Sequence, residues 1–239
     1  MPFALLLILL VLLPAAARAG SSILIWPIDP RLEHDQRASA LWLENRGSRS
    51  TLLQVRIFAW SQRDGEEHYQ AQREVVGSPP MVRVEPGARQ LVRLTRLAPS
   101  AAGTEHAYRI LIDEVPTPQD EAQGPGGSGI RFQMRYSVPL FLVGPGLPAE
   151  AGRPALGWRQ VEAGGKAYLE IRNAGPRHAR LTRVAFERDG ASLAMDEGLL
   201  GYVLPGSRMR WPLPRPLAGG ERLWAEVNGK RGEIAAAPR

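Results

Sequence analysis

The sequence predicts an all-β protein built as two immunoglobulin-like β-sandwich domains. Three observations carry that expectation. Short alternations of apolar and polar residues recur along the chain, as strands with one buried face require. The 21 prolines and 25 glycines punctuate these alternations, which suits many short strands and works against helix bundles. Finally, a two-part pattern occurs twice in the same order. Leu41-Trp42-Leu43-Glu44-Asn45-Arg46-Gly47 answers to Leu169-Glu170-Ile171-Arg172-Asn173-Ala174-Gly175, and Val84-Glu85-Pro86-Gly87-Ala88-Arg89 answers to Val203-Leu204-Pro205-Gly206-Ser207-Arg208. Each copy is an alternating strand ending in Asn-x-Gly, followed later by a Pro-Gly turn that opens another strand. Asn and Gly tolerate the left-handed conformations that end strands, and Pro-Gly suits a tight turn. Two domains of similar plan are therefore expected.

Taken in order, residues 1–19 read as a secretory signal peptide. Leu5 to Pro14 is almost wholly aliphatic, and Ala17-Arg18-Ala19 has the small-x-small form of a cleavage site. The apolar run falls short of the ~20 residues that span a bilayer, so the mature chain is expected to be exported and not membrane-embedded. The first domain, 20–143, carries strand patterns at 22–26, 38–45, 52–60, 81–84, 89–96, 107–114 and 130–143. Seven short strands with turn signals between them suit an immunoglobulin-like sandwich. Residues 144–154, rich in Gly and Pro, read as a semi-rigid linker. The second domain, 155–239, shows strand patterns at 167–173, 179–187, 208–213 and 222–227, with a frayed tail at 235–239. The chain has no cysteine, so each core must hold without disulfides.

Charge and motifs exclude several function classes. The formal net charge is +6, and Lys166 and Lys230 are the lone lysines among the basic residues. The arginines are scattered singly along alternating strands, which reads as solvated strand faces and not as a nucleic-acid surface. His34, His68, His106 and His178 lie far apart, read as isolated surface or loop histidines, and offer no metal site. Gly164-Gly165-Lys166 imitates the end of a phosphate-binding loop, but Arg159 stands where its first glycine is needed; it reads as a hairpin turn. Gly126-Gly127-Ser128 lacks the closing glycine of a nucleophile elbow. Asp113 and Glu114, before Val115-Pro116, read as a solvated turn. Nucleophile, base and orienter never come together, so neither an enzyme nor a cofactor is expected.

The most informative stretch is 129–143. Ile130, Phe132, Met134, Val138, Leu140 and Leu142 share one parity; Arg131, Gln133, Arg135 and Ser137 share the other. With Ile23-Leu24-Ile25-Trp26-Pro27, Pro30-Arg31-Leu32, Ser78-Pro79-Pro80-Met81, Val84-Glu85-Pro86-Gly87, Leu91-Val92-Arg93-Leu94, Tyr108 to Pro116 and Gly201-Tyr202-Val203-Leu204-Pro205-Gly206-Ser207, it resembles the periplasmic pilus chaperones, the PapD-like family. Trp26-Pro27 and Phe132-Gln133-Met134-Arg135-Tyr136 are similar to the archaic branch, which serves spore-coat-U-type pilins.

The resemblance implies an L-shaped pair of domains, a periplasmic location, and two partners: pilin subunits bound 1:1 and an outer-membrane usher. It further implies that the chaperone lends a strand to a subunit that lacks one. Ile130, Phe132 and Met134 would be donated, while Val138, Leu140 and Leu142 would belong to the chaperone's own core and hinge. A subunit's C-terminal carboxylate would be anchored between the domains by Arg31 and a second basic residue. Pro139 stands where the family's lysine would be, leaving Arg109 and Arg135 as candidates. Glu105 fits the acidic member of the family's buried interdomain charge network, but Val143 stands where its arginine would be, so a different partner is expected. The alternative reading is an exported two-domain adhesion or binding module without chaperone activity.

Overall fold

The computed structural model describes residues 23–117, 133–147 and 153–237. Their regular elements are all strands. The first ten are β1 (Ile23–Trp26), β2 (Arg31–Leu32), β3 (Ala38–Asn45), β4 (Thr51–Arg63), β5 (Glu66–Ala71), β6 (Val75–Ser78), β7 (Met81–Val84), β8 (Arg89–Arg96), β9 (Glu105–Val115) and β10 (Arg135–Val143). They form two facing sheets, one in the order β1-β3-β8-β6 and one in the order β2-β10-β9-β4-β5, with β7 joined to β4. Because side chains alternate along a strand, each sheet turns one parity inward. Leu41, Leu43, Val92 and Leu94 from the first sheet pack with Val55, Ile110, Val138, Leu140 and Leu142 from the second. Each such burial is worth roughly 1.5–3 kcal/mol.

The other seven strands are β11 (Leu156–Ala163), β12 (Lys166–Asn173), β13 (Ala179–Arg188), β14 (Ala191–Val203), β15 (Arg208–Pro212), β16 (Arg222–Val227) and β17 (Lys230–Ala236). They follow one path, β14-β13-β16-β17-β11-β12-β15. β17 pairs with β16 up to Ile234 and with β11 at Ala235 and Ala236, so it passes from one layer to the other. Leu169, Ile171, Leu181, Phe186 and Leu223 lie in the core between the layers.

The repeated Asn-x-Gly and Pro-Gly segments meet in space, in the same way in both halves. Asn45 is fully buried; its Nδ2 donates to the carbonyls of Arg49 at 2.6 Å and Val84 at 2.9 Å, and its Oδ1 accepts from Gly47 N at 2.9 Å. Asn173 repeats the set with Arg177 O at 2.7 Å, Val203 O at 3.1 Å and Gly175 N at 2.9 Å. Each asparagine thus closes a strand end onto the following Pro-Gly corner. Gly175 has a second reason to be glycine: a Cβ there would lie 2.4 Å from the Arg153 carbonyl oxygen.

Several expectations need correction. The strands β2, β5, β6, β11, β14 and β17 have no counterpart in the periodicity. β5 reads Glu-Glu-His-Tyr-Gln-Ala, without an apolar parity, and β14 contains register shifts that break its alternation. Residues 235 and 236 are paired, not frayed. Asp113 and Glu114 lie inside β9, where Asp113 pairs with Arg56 at 2.7 Å and bonds Arg135. Gly164 and Gly165 do form the β11–β12 hairpin turn, at φ 56 and 71.

The two sandwiches meet at a buried polar elbow. Glu105 accepts at one oxygen from the backbone N of His178 at 2.8 Å and lies 2.7 Å from its Nδ1. Arg177 stands 3.8 Å from the other oxygen and donates to Leu147 O at 2.8 Å. His178 stacks on Phe141 at 3.5 Å, with the rings 3° apart. The Gln62 amide imitates a strand partner, donating to Tyr202 O at 2.9 Å and accepting from Leu204 N at 2.8 Å. Trp60, Ala107, Phe141, Tyr202 and Leu204 fill the space between. His178 is therefore a buried interdomain residue and not an isolated one, and Arg177 is not on a solvated face. Together they supply the partner that Val143 cannot give Glu105. Gly144 lets the chain leave β10 tightly, since a Cβ there would lie 1.9 Å from Ala101 O.

Two variants test this framework. Asn173→Ala leaves the carbonyls of Arg177 and Val203 without their donor, and should lower stability by roughly 2–4 kcal/mol in urea denaturation. Glu105→Ala strands His178 and Arg177 and should cost roughly 3–5 kcal/mol. By calorimetry, the Glu105 change should separate the unfolding of the two domains into distinct transitions, whereas the Asn173 change should lower the second domain's own transition.

Candidate functional site

The site begins with the edges of β10. On one side, it pairs with β9 along its whole length, from Arg135↔Asp113 to Val143↔Glu105. On the other side it meets β2 at Phe141↔Arg31 and Leu142↔Leu32. Among the described residues, nothing pairs with that second edge from Arg135 to Leu140. The ladder fixes which amides face it. Glu114 N donates to Met134 O, so the even-numbered positions make the paired contacts with β9. Phe141 N turns the other way, to Pro30 O at 3.2 Å, so the odd-numbered amides face the open edge. Pro139 is odd, and its missing N–H removes nothing from the β9 ladder; this is where a strand accommodates proline.

The side chains divide by the same parity. Val138, Leu140 and Leu142 point into the core, and Tyr136 packs against it. Met134, just before the strand, is 45% exposed, and Ile130 and Phe132 lie outside the described residues. Phe141, Pro139 and Arg135 take the opposite face, in register with Ala107, Arg109 and Asp113 of β9.

That outer face also carries the three sequence-predicted arginines, but it separates them. Arg31 sits opposite Phe141, with its side chain 39% exposed and Asp29 as its ion-pair partner at 3.9 Å. It borders an open interdomain cleft of about 1030 Å³, with Arg153, Arg177, Lys230 and Arg231 on the walls. Arg109 sits opposite Pro139, yet its guanidinium is buried: 3.7 Å over the Trp60 ring, 5.3 Å from the Tyr202 ring and 3.4 Å from Glu67. Tyr69 in turn bonds Glu67. Stacking a desolvated cation on an aromatic face can be worth about 2 kcal/mol, so Arg109 is a structural cation and not a solvated one. Arg135 lies farther along β10, exposed, and shares Asp113 with Arg56. Burial pushes the Asp113 carboxyl up, but the two guanidinium groups bonded to it hold it below the usual carboxylate range.

Sequence reasoning missed Arg96, Arg177 and His178. Arg96 Nη2 donates to Leu32 O at 2.8 Å and Val143 O at 3.1 Å, clamping the ends of β2 and β10 together. One signal for the other two was present: a buried acid at 105 demands a cation or a donor, and Val143 supplies neither. Nothing local in Pro176-Arg177-His178 names Glu105 as its partner, which lies 73 residues away.

Residues 31–148 match the family of pili and flagellar-assembly chaperones, PapD N-terminal domain. Among solved structures, the fold is similar to the CsuC–CsuE chaperone–tip adhesion subunit pre-assembly complex from archaic chaperone-usher Csu pili of Acinetobacter baumannii. The likeness there is 29% identity and a TM-score of 0.74, over 91% of this chain and 100% of that one. The CupB2 chaperone of Pseudomonas aeruginosa shares the fold at 20% identity and a TM-score of 0.60, over 88% and 96% of the two chains. The E. coli chaperone DraB shares it at 15% identity and a TM-score of 0.60, over 92% and 98%. No curated protein sequence matches significantly. Two immunoglobulin-like domains, the strand that closes the first of them beside the elbow, and the match over residues 31–148 lead to one assignment: through its N-terminal domain, the chain belongs to the PapD-like family of pilus-assembly chaperones.

Proposed function

We propose that this chain is a periplasmic chaperone of the chaperone-usher pathway. It folds and caps a pilin subunit in a 1:1 complex and delivers it to an outer-membrane usher. The observation that carries this reading is the edge of β10 from Arg135 to Leu140, unpaired among the described residues, on a strand whose other edge and inward face are fully engaged. An open edge is a template for another chain's strand. Strand addition uses such an edge for main-chain bonds and alternate side chains for specificity. The even parity that enters the core at Val138, Leu140 and Leu142 runs back through Met134 to Phe132 and Ile130. Continued in register, it offers those three apolar side chains to a subunit's groove. A one-residue slip would present Arg131, Gln133 and Arg135 instead. An exported binding module without chaperone activity would carry its site on loops and would not need this edge.

The cleft supports the second half of the reading, capture of the subunit's C-terminal carboxylate. Arg31 is the cation with freedom to serve, since a 3.9 Å contact to an exposed Asp29 costs little to break. Arg109 holds the floor of the site through Trp60, and Arg135 lies toward the subunit's strand.

Phe132→Glu should leave the chain folded but abolish recovery of a stable complex when it is co-expressed with the pilin encoded beside it; wild-type yield would refute the donor assignment. Arg31→Ala should lower pilus assembly in cells by about tenfold or more, the worth of a lost charge-assisted hydrogen bond. Unchanged assembly would remove Arg31 from the site.

A further inference from the structure

A second cavity, of about 690 Å³, lies between the domains and shares no lining residue with the cleft that Arg31 borders. Its floor is the outer face of β11, β12 and β15. Ile171 and Met209 turn into the second core, so their neighbours Arg172 and Arg208 face outward, opposite each other in the β12–β15 ladder. One row along, Arg159, Glu170 and Arg210 line up across the same three strands. Glu170 is 3% exposed and takes Arg159 Nη2 at 2.6 Å on one oxygen and Arg210 Nε at 2.7 Å on the other. Burial pushes its carboxyl up, but the hydrogen bonds from Arg210 and Arg159 hold it below the usual carboxylate range. One buried carboxylate thus fixes two guanidinium groups, and the floor keeps a positive excess.

The first domain supplies the facing wall, the tip of the β4–β5 hairpin. Asp64 and Gly65 turn there at φ 55 and 85. Gly65 bridges to Met209 of β15 and lies so close to Arg210 that a Cβ would stand 3.0 Å from its Cδ. Asp64 reaches Arg208 at 3.3 Å, but both side chains are exposed, so the pair is worth little and exchanges readily. Arg63, the last residue of β4, lines the same cavity. Four of its lining residues are therefore arginines, against two carboxylates, Asp64 and Glu170. Among the described residues, neither Arg63 nor Arg172 forms an ion pair with a carboxylate. Two unpaired guanidinium groups and one loosely paired group converge on one space from two walls that are docked to each other.

We propose that this cavity is a binding site for a phosphate group, held by Arg63 from the first domain and by Arg172 and Arg208 from the second. A guanidinium fork pairs with two oxygens of a phosphate or a carboxylate. The two oxygens of a carboxylate lie in one plane and suit one fork. A phosphate directs its oxygens tetrahedrally and can meet several forks from different walls, and its double charge offsets the excess. Because the ligands come from both domains, a bound phosphate would tie the hairpin tip to β12 and β15, and so add to the elbow from outside its buried core.

The test uses the full mature chain. Inorganic phosphate and pyrophosphate are titrated in by calorimetry at constant ionic strength, and thermal midpoints are read with and without pyrophosphate. Wild type should bind pyrophosphate saturably at 1:1, with a rise in midpoint, as a ligand of the folded state requires. Arg172→Gln and Arg63→Gln should each weaken binding about tenfold, the worth of a lost charge-assisted contact, and leave the unliganded midpoint unchanged. Arg93→Gln, the same charge change on an exposed position of β8, should alter affinity by less than about twofold. A second arm measures sedimentation with phosphatidylcholine vesicles made with and without phosphatidylglycerol. Retention that needs phosphatidylglycerol, is competed by pyrophosphate and is lost in Arg172→Gln assigns the phosphate to a lipid head group. Pyrophosphate binding without vesicle retention assigns it to a soluble phosphate ester. An equal loss in Arg93→Gln, tighter binding of a polyglutamate peptide than of pyrophosphate, or no binding in either arm would overturn the site.

Discussion

The pleat of β10 places every group on which function depends. One parity of the strand is committed to the core through Val138, Leu140 and Leu142, and the other takes the opposite face through Arg135, Pro139 and Phe141. The strand cannot slip by one residue without burying Arg135 and exposing three core side chains, at a cost of several kcal/mol. That fixed register also settles the backbone: even-numbered amides serve β9, and odd-numbered ones face the open edge. A strand with its inward face and one edge engaged is a rigid offer of its remaining edge.

The same strand ends at the elbow. Phe141 stacks on His178, Val143 O is held by Arg96, and Val143 pairs with Glu105, which binds the second domain. The donor edge and the interdomain contact are thus two ends of one element, separated by a few residues. Burying Glu105 costs desolvation, which the His178 backbone N–H, its ring and the nearby Arg177 offset. Because that set includes main-chain and side-chain bonds, the second domain is held with respect to the cleft that Arg31 borders. Binding chemistry and domain geometry are coupled through Phe141.

Much of this was legible in the sequence, for stated physical reasons. Alternation identified the long strands β3, β4, β8, β9 and β10, because each turns one apolar parity into the first core. The paired Asn-x-Gly and Pro-Gly segments identified the repeat, and Asn45 and Asn173 explain it: both cap the same corner from full burial. What escaped notice had no local signature. β5 is polar on both faces, β14 is bulged, and β2 is two residues long. Arg109 stood out as a carboxylate candidate, but its burial had no local sign, since the Trp60 and Glu67 that hold it lie on other strands. His178 looked isolated because its partner, Glu105, is remote in the chain. The sequence did signal a gap at the elbow, an acid without its expected arginine, and the structure fills it with two adjacent residues of the other domain.

The central claim is that another chain's strand pairs with the open edge of β10, and residue-resolved hydrogen exchange tests it most directly. The amides of Arg135 and Ser137 face that edge, and those of Val138 and Leu140 are bonded to β9. In the free chain, Arg135 and Ser137 should exchange rapidly while Val138 and Leu140 are protected. In the 1:1 complex with the co-expressed pilin, Arg135 and Ser137 should become protected as well. A complex that forms while both amides still exchange at their free rates would contradict strand addition at β10.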